Sequence, residues 1–152
     1  MSDLRELYQE MILDHNRSPH HFHELADANR TARGNNPLCG DQLTVYLKLN
    51  QDKINAISFV GSGCAISKAS ASMMTDALQG KTKHEALQLF EMFHEMVTGH
   101  TELAGPSKMG KLAVFSGVAE SPARVKCASL AWHTMKSALE GSDAIVSTET
   151  GE

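Results

Sequence analysis

Leu4, Leu7, Tyr8, Met11 and His15 recur at three- and four-residue steps, which predicts an amphipathic helix ending before Pro19. Residues 17–38 are rich in His, Asn, Arg and Pro without a clear period, and read as an extended loop. From Gln42 the stretch LTVYLKLN alternates apolar and polar residues, Gln51-Asp52-Lys53 supplies a turn, and INAISFV resumes with β-branched and aromatic residues. This predicts an antiparallel hairpin. A lone hairpin is marginal in water, so a third strand is expected from within residues 25–36.

After Gly61-Ser62-Gly63-Cys64 the composition switches to Ala, Ser and Met, and AISKASASMMTDALQG predicts a helix stopped by Gly80 and able to pack closely. Thr82 and Glu85 form a capping box for KHEALQLFEMFHEMV, whose Ala86, Leu89, Phe90, Phe93 and Val97 share a face. Met73, Met74, Met92 and Met96 suit core packing at helical spacing. Glycines and Pro106 make residues 98–110 a loop, followed by the short apolar piece KLAVFSGV. Ser121 and Pro122 start a last helix running to a stop near Gly141, with Cys127 in its second turn. The rest, SDAIVSTETGE, reads as a mobile tail over residues 142–152, leaving a single domain at 1–141.

Composition narrows the function classes. At 152 residues with 41% hydrophobic and 21% charged side chains, the chain can bury one ordinary core and belongs to neither the disordered nor the membrane class. A net charge of −4 supplies no basic field, so nucleic acid and anionic lipid are not expected partners. The opening MSDLRELYQEMILDH is charged from its third residue and lacks a long apolar run, so a cytoplasmic address is expected. In a reducing compartment three cysteines serve more readily as ligands or nucleophiles than as disulfides.

Their settings carry the chemistry. Cys39 and Asp41 flank Gly40 just before the first strand of the hairpin, where a flexible backbone can turn both side chains to one point; a plain turn would use Gly-Asp too. Cys64 stands where a strand hands over to a helix, a position that favours thiolate. Cys127 lies near another helix start, with Arg124 one turn before it and within about 60° around the helix. There Arg124 can offset the charge of three thiolates and a carboxylate, or simply face solvent. Three sulfurs and one carboxylate suit zinc, and the same sulfurs suit an iron-sulfur cluster. Spacing alone leaves both a shared metal site and three buried thiols open.

Cys-Gly-Asp at 39–41, Gly-x-Gly-Cys at 61–64 and Arg-Val-Lys-Cys at 124–127, with Leu7-Tyr8 and Asp14-His15, resemble the IscU/SufU/NifU N-terminal family of iron-sulfur assembly proteins over nearly the whole chain. The resemblance implies an α+β fold, a small antiparallel sheet of about three strands covered by several helices. It implies Cys39, Asp41, Cys64 and Cys127 as metal ligands and Arg124 as the nearby basic residue. It also implies a pyridoxal-phosphate cysteine desulfurase as partner, with downstream iron-sulfur assembly proteins beyond it. Within the family the chain is similar to the SufU branch. Lys126 replaces the His that IscU-type proteins carry before the third cysteine, Ser121-Pro122-Ala123-Arg124-Val125-Lys126 replaces their Leu-Pro-Pro-Val-Lys segment, and an extra segment is expected around 98–118.

Three functions are therefore expected in order: a zinc-binding acceptor of persulfide sulfur, with Cys39 as acceptor because a loop cysteine can swing; a scaffold for a labile [2Fe-2S] cluster on the same residues; and a purely structural zinc protein. His20, His21 and His23 could bind metal, but an exposed loop explains the stretch equally well and no companion ligands stand near in sequence; His133 is turned about 240° from Cys127 around its helix.

Overall fold

The computed structural model describes residues 2–99, 109–141 and 145–148. Helix α1 (Ser2–Arg17) leads through a loop to strands β1 (Arg30–Asn36), β2 (Asp41–Asn50) and β3 (Lys53–Ser62), then helices α2 (Ala65–Leu78) and α3 (Lys83–Val97). A 3₁₀-helical stretch, Gly110–Glu120, precedes α4 (Pro122–Leu139) and the two-residue strand β4 (Val146–Ser147). The expected third strand is β1. Of the loop expected at 98–110 and the extra segment expected at 98–118, residues 100–108 lie outside the described residues, and the apolar piece after them is the 3₁₀ stretch, which buries Leu112, Val114 and Phe115.

The sheet order is β3-β2-β1-β4, with β1, β2 and β3 antiparallel and β4 parallel to β1. The fold is thus α+β, with a mixed sheet of four strands. The fourth comes from the stretch expected to be tail; a two-residue strand leaves no periodicity to read. Alternation in β2 turns Leu43, Val45 and Leu47 inward together with Asp41, so the charged first residue of the strand shares the core-facing row. At the hairpin, Gln51 and Asp52 have φ of 52° and 68°, the two positive values of a primed two-residue turn. Neither is glycine. Asp52→Gly relieves one left-handed residue and is expected to raise unfolding free energy by about 1 kcal/mol in denaturant titration.

Helix α4 crosses β1 and β2, α2 lies on β3 and α4, and α1 packs on α2. The small residues of α2 and α4 let them approach: buried Ser70 Oγ donates to the Ala128 carbonyl at 2.6 Å and accepts from Trp132 Nε1 at 3.2 Å. Trp132 stacks on Phe93 at 4.5 Å, which meets Phe115 edge-on, tying α3 and the 3₁₀ stretch to the core. The Thr82–Glu85 capping box starts α3. Ser121 occupies the N-cap position of α4 but makes no side-chain capping bond, so Pro122 marks that start. On α1, Tyr8, Met11 and Ile12 pack on the core, whereas Leu7 of the expected stripe is exposed.

Candidate metal centre

The turn from β1 to β2, the start of α2 and the first turns of α4 meet at one point. Gly40 at φ +74° closes the β1–β2 turn, where the N–H groups of Cys39 and Gly40 both donate to the Asn36 carbonyl. This leaves Cys39 exposed at the tip and Asp41 fully buried at the first position of β2. Cys64 is the N-cap of α2, and its Sγ accepts the Ser67 N–H at 3.4 Å. Cys127 is buried on the inward face of α4.

Donor atoms of Cys39, Asp41 and Cys127 lie within 4.8 Å of one another. The Cys39 and Cys127 sulfurs are 3.4 Å apart, and Cys64 Sγ is 3.9 Å from Asp41 Oδ2. Ligands on a tetrahedron with 2.3 Å metal–sulfur bonds are separated by about 3.8 Å. Burial pushes the Cys127 thiol far above its ordinary range, with the contacts to Cys39 and Cys64 and the Asp41 charge adding to it. Cys64 borders this group through Asp41 without lying within 4.8 Å of all three, and potentially anionic donors gathered like this favour a cation among them. The donor set and its spacing fit zinc, and the three sulfurs fit iron equally well.

Two neighbours build the site. A Cβ on Gly63 would lie 2.3 Å from Asp41 Oδ1 and 2.9 Å from Asp41 Cα, so only glycine lets β2 and the start of α2 approach. That approach allows Asp41 Oδ1 to accept the Cys64 N–H at 2.8 Å. Buried Asn36 was not singled out from sequence: its Nδ2 donates to Asp41 Oδ2 at 3.2 Å and reaches Cys127 Sγ at 3.5 Å, while its Oδ1 accepts from Thr148 at 3.0 Å. Its place beside the Cys-Gly-Asp turn was the available signal. Arg124 is exposed on the first turn of α4, and among the described residues no hydrogen bond or ion pair joins it to the four donors. His133 sits apart, edge-on to Phe90 and His94, where burial lowers its pKa.

The carboxylate is a strut, through its bonds to Cys64 and Asn36, and a candidate donor. Asp41→Ala leaves three thiolates, and the core of sheet and helices does not depend on it. The variant is expected to fold cooperatively in zinc-replete buffer while releasing zinc to a chelator about tenfold more readily, measured by competition with a chromophoric chelator.

An α+β domain that gathers three cysteines and an aspartate from two helix starts and a strand turn defines a candidate thiolate-rich metal centre. The sequence matches the model of the NifU-like N terminal domain over residues 7–128, and the chain belongs to that family. It is 44% identical over 142 residues to an iron-sulfur cluster assembly scaffold protein IscU of Streptococcus pyogenes, covering 93% of this chain and 88% of the relative. It is 38% identical over 135 residues to the zinc-dependent sulfurtransferase SufU of Bacillus subtilis, covering 89% and 90%. A crystal structure of a candidate iron-sulfur cluster assembly scaffold protein for the SUF system from Fervidobacterium islandicum superposes with a TM-score of 0.80 at 35% identity, over 86% of this chain and 94% of that one.

Proposed function

We propose that this chain works in iron-sulfur cluster assembly as a zinc-binding acceptor of persulfide sulfur, with Cys39, Asp41, Cys64 and Cys127 as the ligands. The observation that carries the reading is the gradient of exposure across one cluster: Cys39 exposed on a turn, Cys64 partly covered at a helix cap, Cys127 buried. The similarity to a zinc-dependent sulfurtransferase supports it. When bound, zinc supplies a Lewis-acidic centre that favours thiolate over thiol.

The residues divide the remaining work. Asn36 and Gly63 hold Asp41 and Cys64 in place. Cys39 meets the partner, a pyridoxal-phosphate cysteine desulfurase carrying a cysteine persulfide. The Cys39 thiolate attacks the outer sulfur of that persulfide; a new S–S bond forms on Cys39, the old one breaks, and the partner cysteine leaves as thiolate. No net oxidation occurs. No helix among the described residues is long and apolar enough to cross a membrane, and a cytoplasmic encounter with the desulfurase fits that.

The second reading, a scaffold on which a labile [2Fe-2S] cluster is built and passed on, is supported by the similarity to IscU scaffold proteins and by the single carboxylate among the sulfurs. Turnover of a pyridoxal-phosphate desulfurase with and without the protein, beside metal analysis of anaerobically purified chain, separates the two. Stimulation by colourless, zinc-loaded protein is expected. A brown protein that leaves turnover unchanged would replace this reading with the scaffold.

A further inference from the structure

At the far end of α2, about 18 Å along the helix from Cys64, a second donor set gathers that shares no residue with the first. His15 comes from the end of α1, His20 from the loop after it and Asp76 from the last turn of α2. One donor atom from each lies within 4.8 Å of the others. The sequence separates His15 from Asp76 too widely for spacing to reveal this, and the loop read as lacking companion ligands has two.

The cluster is held from beneath. Fully buried Ser72 Oγ accepts the His20 backbone N–H at 2.7 Å and meets His15 Nδ1 at the same distance. Buried Thr75 Oγ1 lies 3.0 Å from His21 Nδ1. His21 adopts φ +55°, a left-handed conformation uncommon outside glycine, and both His20 and His21 reach Asp76, at 2.6 and 3.5 Å. The His15 and His20 rings stand 4.4 Å apart. On the outer side the neighbouring Arg17 is paired with Asp14 at 2.9 Å, which offsets its charge.

We propose that His15, His20 and Asp76 form a second divalent-metal site, suited to zinc. Two imidazoles and a carboxylate are a donor set zinc accepts, and Ser72 is the outer hydroxyl that fixes the His15 ring. The His20 and Asp76 side chains are about half exposed, which leaves an entry path and room for water as fourth ligand. An ion here ties α1 to α2 without touching the cysteines.

The test is a zinc titration of the full-length, metal-stripped protein against a chromophoric chelator, with a parallel Co2+ titration followed by absorption. Wild type is expected to take two equivalents. In the Co2+ experiment one gives intense thiolate charge-transfer bands and the other only weak visible bands. His20→Asn and Asp76→Asn, both at exposed side chains, are expected to weaken the second equivalent at least tenfold while the thiolate bands stay. His15 and His20 ring nitrogen resonances should shift in wild type as the second equivalent binds. A single equivalent in wild type, ring resonances that do not move, or a second equivalent unchanged in both variants overturns the proposal. The thiolate bands report the first site separately, so its failure is distinguishable from this one.

Discussion

Cys39→Ser is expected to reduce desulfurase turnover to the rate of the desulfurase alone, while the variant still co-purifies with its partner. Serine keeps the size of the side chain at the tip of the β1–β2 turn, so the surface that docks is preserved. It cannot form a persulfide and is a far poorer ligand, so chemistry is lost before binding. The geometry makes the contrast between cysteines sharp. Cys39 can leave the cluster by moving an exposed turn, whereas Cys127 is anchored on a helix packed across β1 and β2, and Cys64 is tied to the Ser67 N–H. Cys64→Ser and Cys127→Ser are the controls. Full stimulation by Cys39→Ser, with loss in another cysteine variant, would move the acceptor to that residue; full stimulation by all three would remove sulfur acceptance altogether.

Gly63→Ala is expected to lower zinc retention by about 10- to 100-fold and to cost about 3 kcal/mol of stability, although it adds one methyl group and removes no ligand. The added Cβ would stand 2.3 Å from a carboxylate oxygen and 2.9 Å from backbone, neither of which can yield without moving Asp41 or Cys64. Gly80→Ala is the matching control. Gly80 also has positive φ, at 84°, but nothing lies near its missing Cβ, so that variant should show backbone strain alone and hold zinc normally. Chelator competition and denaturant titration on both variants measure the difference. Equal zinc retention in the two would show that the close approach of β2 and α2 is not what sets the site.

Features written in local periodicity were legible before the fold was known. The alternation of β2 and the Thr82–Glu85 box of α3 depend on neighbours in sequence, and the structure repeats them. The switch from strand to helix at Cys64 is also local, and the thiol stands at the cap. What escaped depends on distant partners. Nothing near Val146 announces a strand, because its pairing is supplied wholly by the edge of β1. Asn36 looks like any loop asparagine until α4 brings Cys127 against it. Ser121 misled in the opposite sense, since it stands at the N-cap position but its side chain makes no capping bond. His15 sat in an apparent apolar stripe, and only the packing of α1 on α2 brings its ring to Ser72.

The sole tryptophan of the chain gives the protein an optical reporter of its own. Trp132 is 1% exposed, lies on the helix that carries Cys127, and donates its indole N–H to Ser70 of the helix that begins at Cys64. Any sliding of α2 against α4 must lengthen that bond or disturb the stack on Phe93, and either alters the indole emission. A departure confined to the Cys39 turn would leave it unchanged. Unlabelled fluorescence during zinc removal therefore tells whether loss of the ion frees one turn or unlocks two helices.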